Sequence, residues 1–110
     1  MMGVKSIIFE INDHFLIVNF GDECEILYNN ILIKIDKDKA FLYLESLLRI
    51  IDGWEKEYID TMIIDGDSWK LSIIYVNGKK IEYYGRASFP YNFEEVERLN
   101  VRLMGEVLSE

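Results

Sequence analysis

Residues 65–95 read DGDSWKLSIIYVNGKKIEYYGRASFPYNFEE, and the fold turns on how the centre of this stretch is registered. Trp69, Leu71, Ile73 and Tyr75 alternate with Lys70, Ser72 and Ile74, the period-two pattern of a strand with one buried face. Asn77-Gly78 separates this run from a second at 79–85. Asn-Gly between two such runs is the strongest short-range hairpin signal. A loop of Asn77-Gly78 alone would set Ile74 opposite Ile81 and put Trp69, Leu71 and Ile73 on one face with Lys80, Glu82 and Arg86. A loop of Val76-Asn77-Gly78, with Gly78 left-handed, sets Ile73 opposite Ile81, Leu71 opposite Tyr83 and Trp69 opposite Gly85. One face is then apolar, and the other takes Lys70, Ser72, Lys80, Glu82 and Arg86. A one-residue slip exchanges the faces, and glycine adopts positive φ without steric penalty, so the three-residue loop is expected.

Upstream, residues 4–11 alternate with Ile7, Phe9 and Ile11 on one face. Asn12-Asp13 is turn material. The next run, 14–20, places His14, Leu16 and Val18 opposite Ile11, Phe9 and Ile7. Turns at Gly21-Asp22-Glu23 and Asn29-Asn30 bring Cys24, Ile26 and Tyr28, then Ile31, Ile33 and Ile35, onto the same face. Asp36 or Asp38 can cap a helix that ends near Ile51 and stops at Gly53. Its apolar stripe is Ala40, Leu44, Leu47, Leu48 and Ile51, and its polar stripe Asp38, Glu45, Arg49 and Asp52. Residues 54–60 read as an acidic loop or a further helical turn, with Trp54, Tyr58 and Ile59 packing inward; residues 61–64 read as a short strand. Asn92 as N-cap, Glu95 at the third helical position and a Tyr91–Val96 staple sign the start of a last helix. Val96, Leu99, Leu103 and Val107 form its buried stripe; Glu95, Arg98, Arg102 and Glu106 form its wet one.

The order is four strands, helix, two to three strands, helix. The expected fold is one α+β domain over residues 1–110: an antiparallel β-meander sheet with both helices on one face.

Length and composition agree with a single domain. The chain has 110 residues, half of them hydrophobic, with one proline. A lone cysteine, Cys24, leaves no intramolecular disulfide, and with a lone histidine, His14, no zinc site of the usual Cys/His kind. The N-terminus lacks the pattern of a signal peptide, and no apolar run approaches the ~20 residues of a membrane span. The expected location is cytoplasmic, without membrane contact. The net charge is −8, so direct binding of nucleic acid would work against the overall field. Residues 52–67 hold six acids, Asp52, Glu55, Glu57, Asp60, Asp65 and Asp67, against Lys56, whereas residues 68–93 carry a net +3.

Each candidate chemical group has a plainer reading beside it. Asp65 and Asp67 are spaced like a carboxylate pair for a divalent cation, but a turn into a strand favours Asp and Gly anyway. No metal and no cofactor is expected. His14 could serve as a general base, yet it lacks a nucleophile partner and falls on the inward face, as a packed structural histidine does. Cys24 alternates with core residues and reads as an inert buried thiol. The tyrosines could stack on bases, but most fall in core registers and no basic groove accompanies them. The acidic residues Asp52, Glu55, Glu57, Asp60, Asp65 and Asp67 are either a solvated loop or a surface for a basic protein partner. The second sheet face, with Ile8, Phe15, Ile17, Leu27, Leu32, Ile74 and Tyr84, is apolar enough for an interface unless the sheet curls over it.

Trp54, Asp65-Gly66, Trp69 with Leu71 and Ile73, Asn77-Gly78-Lys79, Tyr84-Gly85, Phe89-Pro90 and Asn92-Phe93 together resemble the second half of a family of small bacterial proteins of Firmicutes-like source. The resemblance covers about half the chain and implies no activity. Charge, size and the lack of a nucleophile–base pair point instead to a class: a small acidic non-enzymatic binding protein. Phage inhibitors of CRISPR or restriction systems and immunity proteins against nucleases have this size and charge. Two other readings compete with it. One is a ligand-binding domain or enzyme with a sheet–helix pocket using His14 or Asp65 and Asp67; the other is a homodimer joined through the apolar sheet face.

Overall fold

The computed structural model describes residues 3–63 and 66–108, with backbone only for 106–108. Its strands are β1 (Val4–Ile11), β2 (His14–Asn19), β3 (Cys24–Tyr28), β4 (Ile31–Ile35), β5 (Glu57–Ile59), β6 (Ser68–Tyr75) and β7 (Lys80–Arg86). The helices are α1 (Lys37–Ile50), between β4 and β5, and α2 (Phe93–Leu108), after β7. The protein is α+β, and its strands form one mixed sheet in the order β4-β3-β2-β1-β6-β7-β5.

The hairpin takes the three-residue loop. Ile73 faces Ile81, Leu71 faces Tyr83 and Trp69 faces Gly85. Tyr75 N–H donates to Lys79 O at 2.8 Å, and Gly78 sits at φ 90°. The first four strands pair in sequence: Phe9 with Leu16, Val18 with Ile26, Ile26 with Ile33. Asn29 and Asn30 both have positive φ, as the tight turns matched to strand twist require. The meander is not a sheet of its own, however, because β1 also pairs antiparallel with β6 and fuses the two halves.

Several expectations need correction. The sheet is not wholly antiparallel, since β5 lies parallel to β7, with Tyr58 beside Gly85. Asp60 N–H donates to Arg86 O and Tyr84 N–H to Lys56 O, which fixes this pairing. The extra strand is therefore 57–59, not 61–64; residues 61–63 are turn or irregular, and Ile64 lies outside the described residues. Within that segment Trp54 and Tyr58 pack inward as expected, but Ile59 is exposed. A bulge at Lys5 was also not readable. It shifts the register between Val4 and Ser6, so that Val4 turns to the core beside Tyr75.

One core lies between the sheet and both helices. Ile7, Val18, Ile26, Leu71 and Ile73 from the sheet meet Ala40, Leu44 and Leu47 from α1 and Val96 and Leu103 from α2. Full burial of each larger aliphatic side chain contributes about 1.5–3 kcal/mol. At one end Trp54, Trp69, Phe89 and Phe93 form an aromatic cluster, with the Trp69 and Phe93 rings 5.0 Å apart. Gly85 admits this cluster: a Cβ there would lie 2.2 Å from the Trp69 Nε1.

The α2 start departs from the expected cap. Asn92 does not use its side chain on the helix. Its Oδ1 accepts the Trp54 indole N–H at 2.7 Å, and its Nδ2 donates to Ile50 O at 2.8 Å. Tyr91 is 96% exposed, so no hydrophobic staple forms.

Candidate functional site

Of the described acids of the 52–67 segment, Asp52, Glu55, Glu57 and Asp60 lie in the stretch from the end of α1 through β5, and Asp67 lies just before β6. Asp52, Glu55, Glu57 and Asp67 are exposed and Asp60 is half-buried. The polar groups there have local structural tasks. Asp60 Oδ1 accepts from Met62 N–H, and Asp67 Oδ1 accepts from the Asn12 side chain at 3.0 Å. Asn12 in turn accepts from Ser68 N–H, so Asp67 helps tie the β1–β2 turn to the start of β6. Glu57 accepts the Tyr84 hydroxyl at 3.0 Å, and that bond to a carboxylate holds the Tyr84 phenol above its ordinary pKa. Asp65 lies outside the described residues. Among the described residues no three His, Cys, Asp or Glu side chains are grouped to hold a metal ion.

The outer sheet face carries no helix. Sheet register brings four of its apolar residues into one row: Leu32 beside Leu27, Leu27 beside Ile17, Ile17 beside Ile8. Ile8, Ile17, Leu27 and Ile74 are half-buried, while Phe15, Leu32 and Tyr84 are 46%, 60% and 41% exposed. Beyond Ile8 the row turns polar, through Ser72 and Glu82. Lys80 reaches Glu82 at 2.7 Å, a contact that draws the carboxyl below its usual pKa. An apolar row and a charged pair thus share the outer face, with Ser72 between them only 2% exposed.

The single-residue candidates separate. Cys24 is 2% exposed in the core, facing Ile35. His14 is on the inward side of its strand but exposed, not packed. Its imidazole lines a sheet–helix cleft together with Glu97 and Asn100 of α2. A sheet–helix pocket with His14 is one of the competing sequence readings, but Glu97 and Asn100 are not named in it. The signal available was Asn100, a buried polar residue in the apolar stripe of α2, whose Oδ1 accepts the Tyr43 hydroxyl at 2.7 Å. The tyrosines divide too: Tyr43 is buried, Tyr58, Tyr75 and Tyr83 are half-buried, and Tyr28, Tyr84 and Tyr91 are exposed.

No family model, no curated protein and no solved structure matches this chain. No helix among the described residues is long and apolar enough to cross a membrane.

Proposed function

We propose that this protein is a non-enzymatic binding protein that docks on a basic protein surface, in the manner of an inhibitor or immunity-type protein. The observation that supports this reading is the β5 edge. Glu57 on β5, and Asp52 and Glu55 before it in the chain, are exposed, and none of the ion pairs between described residues engages them. Carboxylates left in water keep their field for a partner, which speeds encounter and makes affinity salt-dependent. The test is a pull-down from host lysate by the immobilised protein and by its Glu55→Lys/Glu57→Lys variant. A basic protein retained at low salt, released at high salt and lost with the variant supports the reading. Retention of the same protein by the variant sinks it.

A second reading, self-association through the outer sheet face, draws on the Leu32–Leu27–Ile17–Ile8 row. Sedimentation velocity at rising concentration checks it. A dimer that Ile17→Lys returns to monomer is the expected result, and a monomer throughout rules it out.

A further inference from the structure

At the β1–β2 turn end of the sheet, a cleft of about 470 Å³ opens between the strands and α2. Its size falls within the range of small-molecule sites, about 300–1,000 Å³. Phe9 and Leu16, both nearly buried, and half-buried Ile11 line its inner part. Phe15, Tyr28 and Val101 stand around it at 46%, 38% and 72% exposure. Aromatic and aliphatic carbon from two strands and a helix is thus left in water at one opening. A small apolar body would cover it.

The polar groups narrow the chemistry. Among the described residues, Glu97 is the one acidic side chain of the lining, and no lysine or arginine contributes to it. With a net charge of −8 over the chain, an anion approaches against the field and a cation with it. Asn100, three residues from Glu97 on α2, shares its helix face. Burial raises the Tyr43 phenol well above its ordinary pKa, so Tyr43 remains a donor to the Asn100 oxygen.

We propose that this cleft binds a small amphipathic amine, its apolar body seated on Phe9, Ile11 and Leu16 and its ammonium group at Glu97. The strands that line the site are separated from β5 by β6 and β7, so this inference and the docking proposal stand or fall separately.

Three probes with one bicyclic body test it: 1-naphthylmethylamine, 1-naphthalenemethanol and 1-naphthaleneacetate, titrated by fluorescence anisotropy or equilibrium dialysis. An ammonium–carboxylate contact near water is worth ~1 kcal/mol, or about fivefold in affinity. The amine should therefore bind about fivefold tighter than the alcohol, with the acid weakest. Glu97→Gln should bring the amine down to the affinity of the alcohol while leaving the alcohol unchanged. Val101→Trp, at an exposed helix position, should fill the opening and weaken the amine and alcohol together. Thermal melts of both variants show that the fold is intact. The inference is overturned if neither amine nor alcohol binds below about 1 mM, if the acid binds as well as the amine, or if the amine keeps its advantage in Glu97→Gln. Unchanged affinities in Val101→Trp would also overturn it, by placing the bound probe elsewhere.

Discussion

The Trp54 indole N–H donates to the Asn92 side-chain oxygen at 2.7 Å, and both residues are only 9% exposed. This bond, with the one from Asn92 to Ile50 O, joins the end of α1, the loop that follows it and the start of α2. Asn92→Ala leaves a buried indole N–H and a carbonyl without their partner, at about 1–3 kcal/mol for an unsatisfied group. Asn92→Asp keeps an acceptor for Trp54 but sets a carboxylate against the Ile50 carbonyl. Chemical denaturation should rank both variants below the native protein. A native-like midpoint for Asn92→Ala would show that the bridge is dispensable.

Gly85 faces Trp69 across β6 and β7 and lies beside Tyr58 of β5. The Cβ of Gly85→Ala would meet the Trp69 ring and Ser88 O at contact distances no real Cβ shows. Overpacking of this kind costs about 1–3 kcal/mol, and more where backbone stands in the way. Gly53 and Gly78, by contrast, leave open space around a new Cβ and constrain through positive φ alone. Gly85→Ala should therefore lower the melting temperature more than Gly78→Ala. Intrinsic fluorescence should report a displaced Trp69.

Alkaline pH should expose Tyr43. Burial raises its phenol pKa in the folded protein, while the unfolded chain returns it to about 10. A raised folded pKa means that its contribution to stability is fully present below about pH 10. It is lost as pH climbs from there through the folded value, because the unfolded state gives up the proton first. Tyr43→Phe should flatten that alkaline fall in denaturation midpoint. At neutral pH it should cost about 0.5–1.5 kcal/mol through the lost bond to Asn100.

Tyr84 titrates for a different reason. It is exposed, and its hydroxyl is tied to Glu57 across the β5–β7 pair. Ultraviolet titration of the phenols should show one group moving toward the ordinary tyrosine value in Glu57→Gln. Thermal stability should change little, as it does for most exposed polar pairs. An unchanged titration would show that the pair is not formed in solution.

What the sequence by itself determined was the local alternation and the register that follows from it. Ile73 had to face Ile81, and Phe9 Leu16, because any slip would carry every apolar side chain to the wrong face. The helix stripes through Leu44, Leu47, Val96 and Leu103 were legible for the same reason, as was the exposure of Glu55 and Glu57. Tertiary structure alone decided the rest. Residues 57–59 are too few to carry a period, and their place beside β7 depends on Gly85 and the Trp54–Trp69 packing. The Lys5 bulge reverses one residue of a clean alternation to match the end of β6. Asn92 carried a helix-capping signal, yet its side chain turns to Trp54 and Ile50, which lie far from it in sequence. His14 shared a strand face with core residues, but only the reach of α2 settles whether that part of the face is covered. The cleft beside His14 is lined by residues of β1, β2, β3 and α2 that lie far apart in the chain. Periodicity records which face of a segment is buried; where the covering element stops is a property of the whole packed chain.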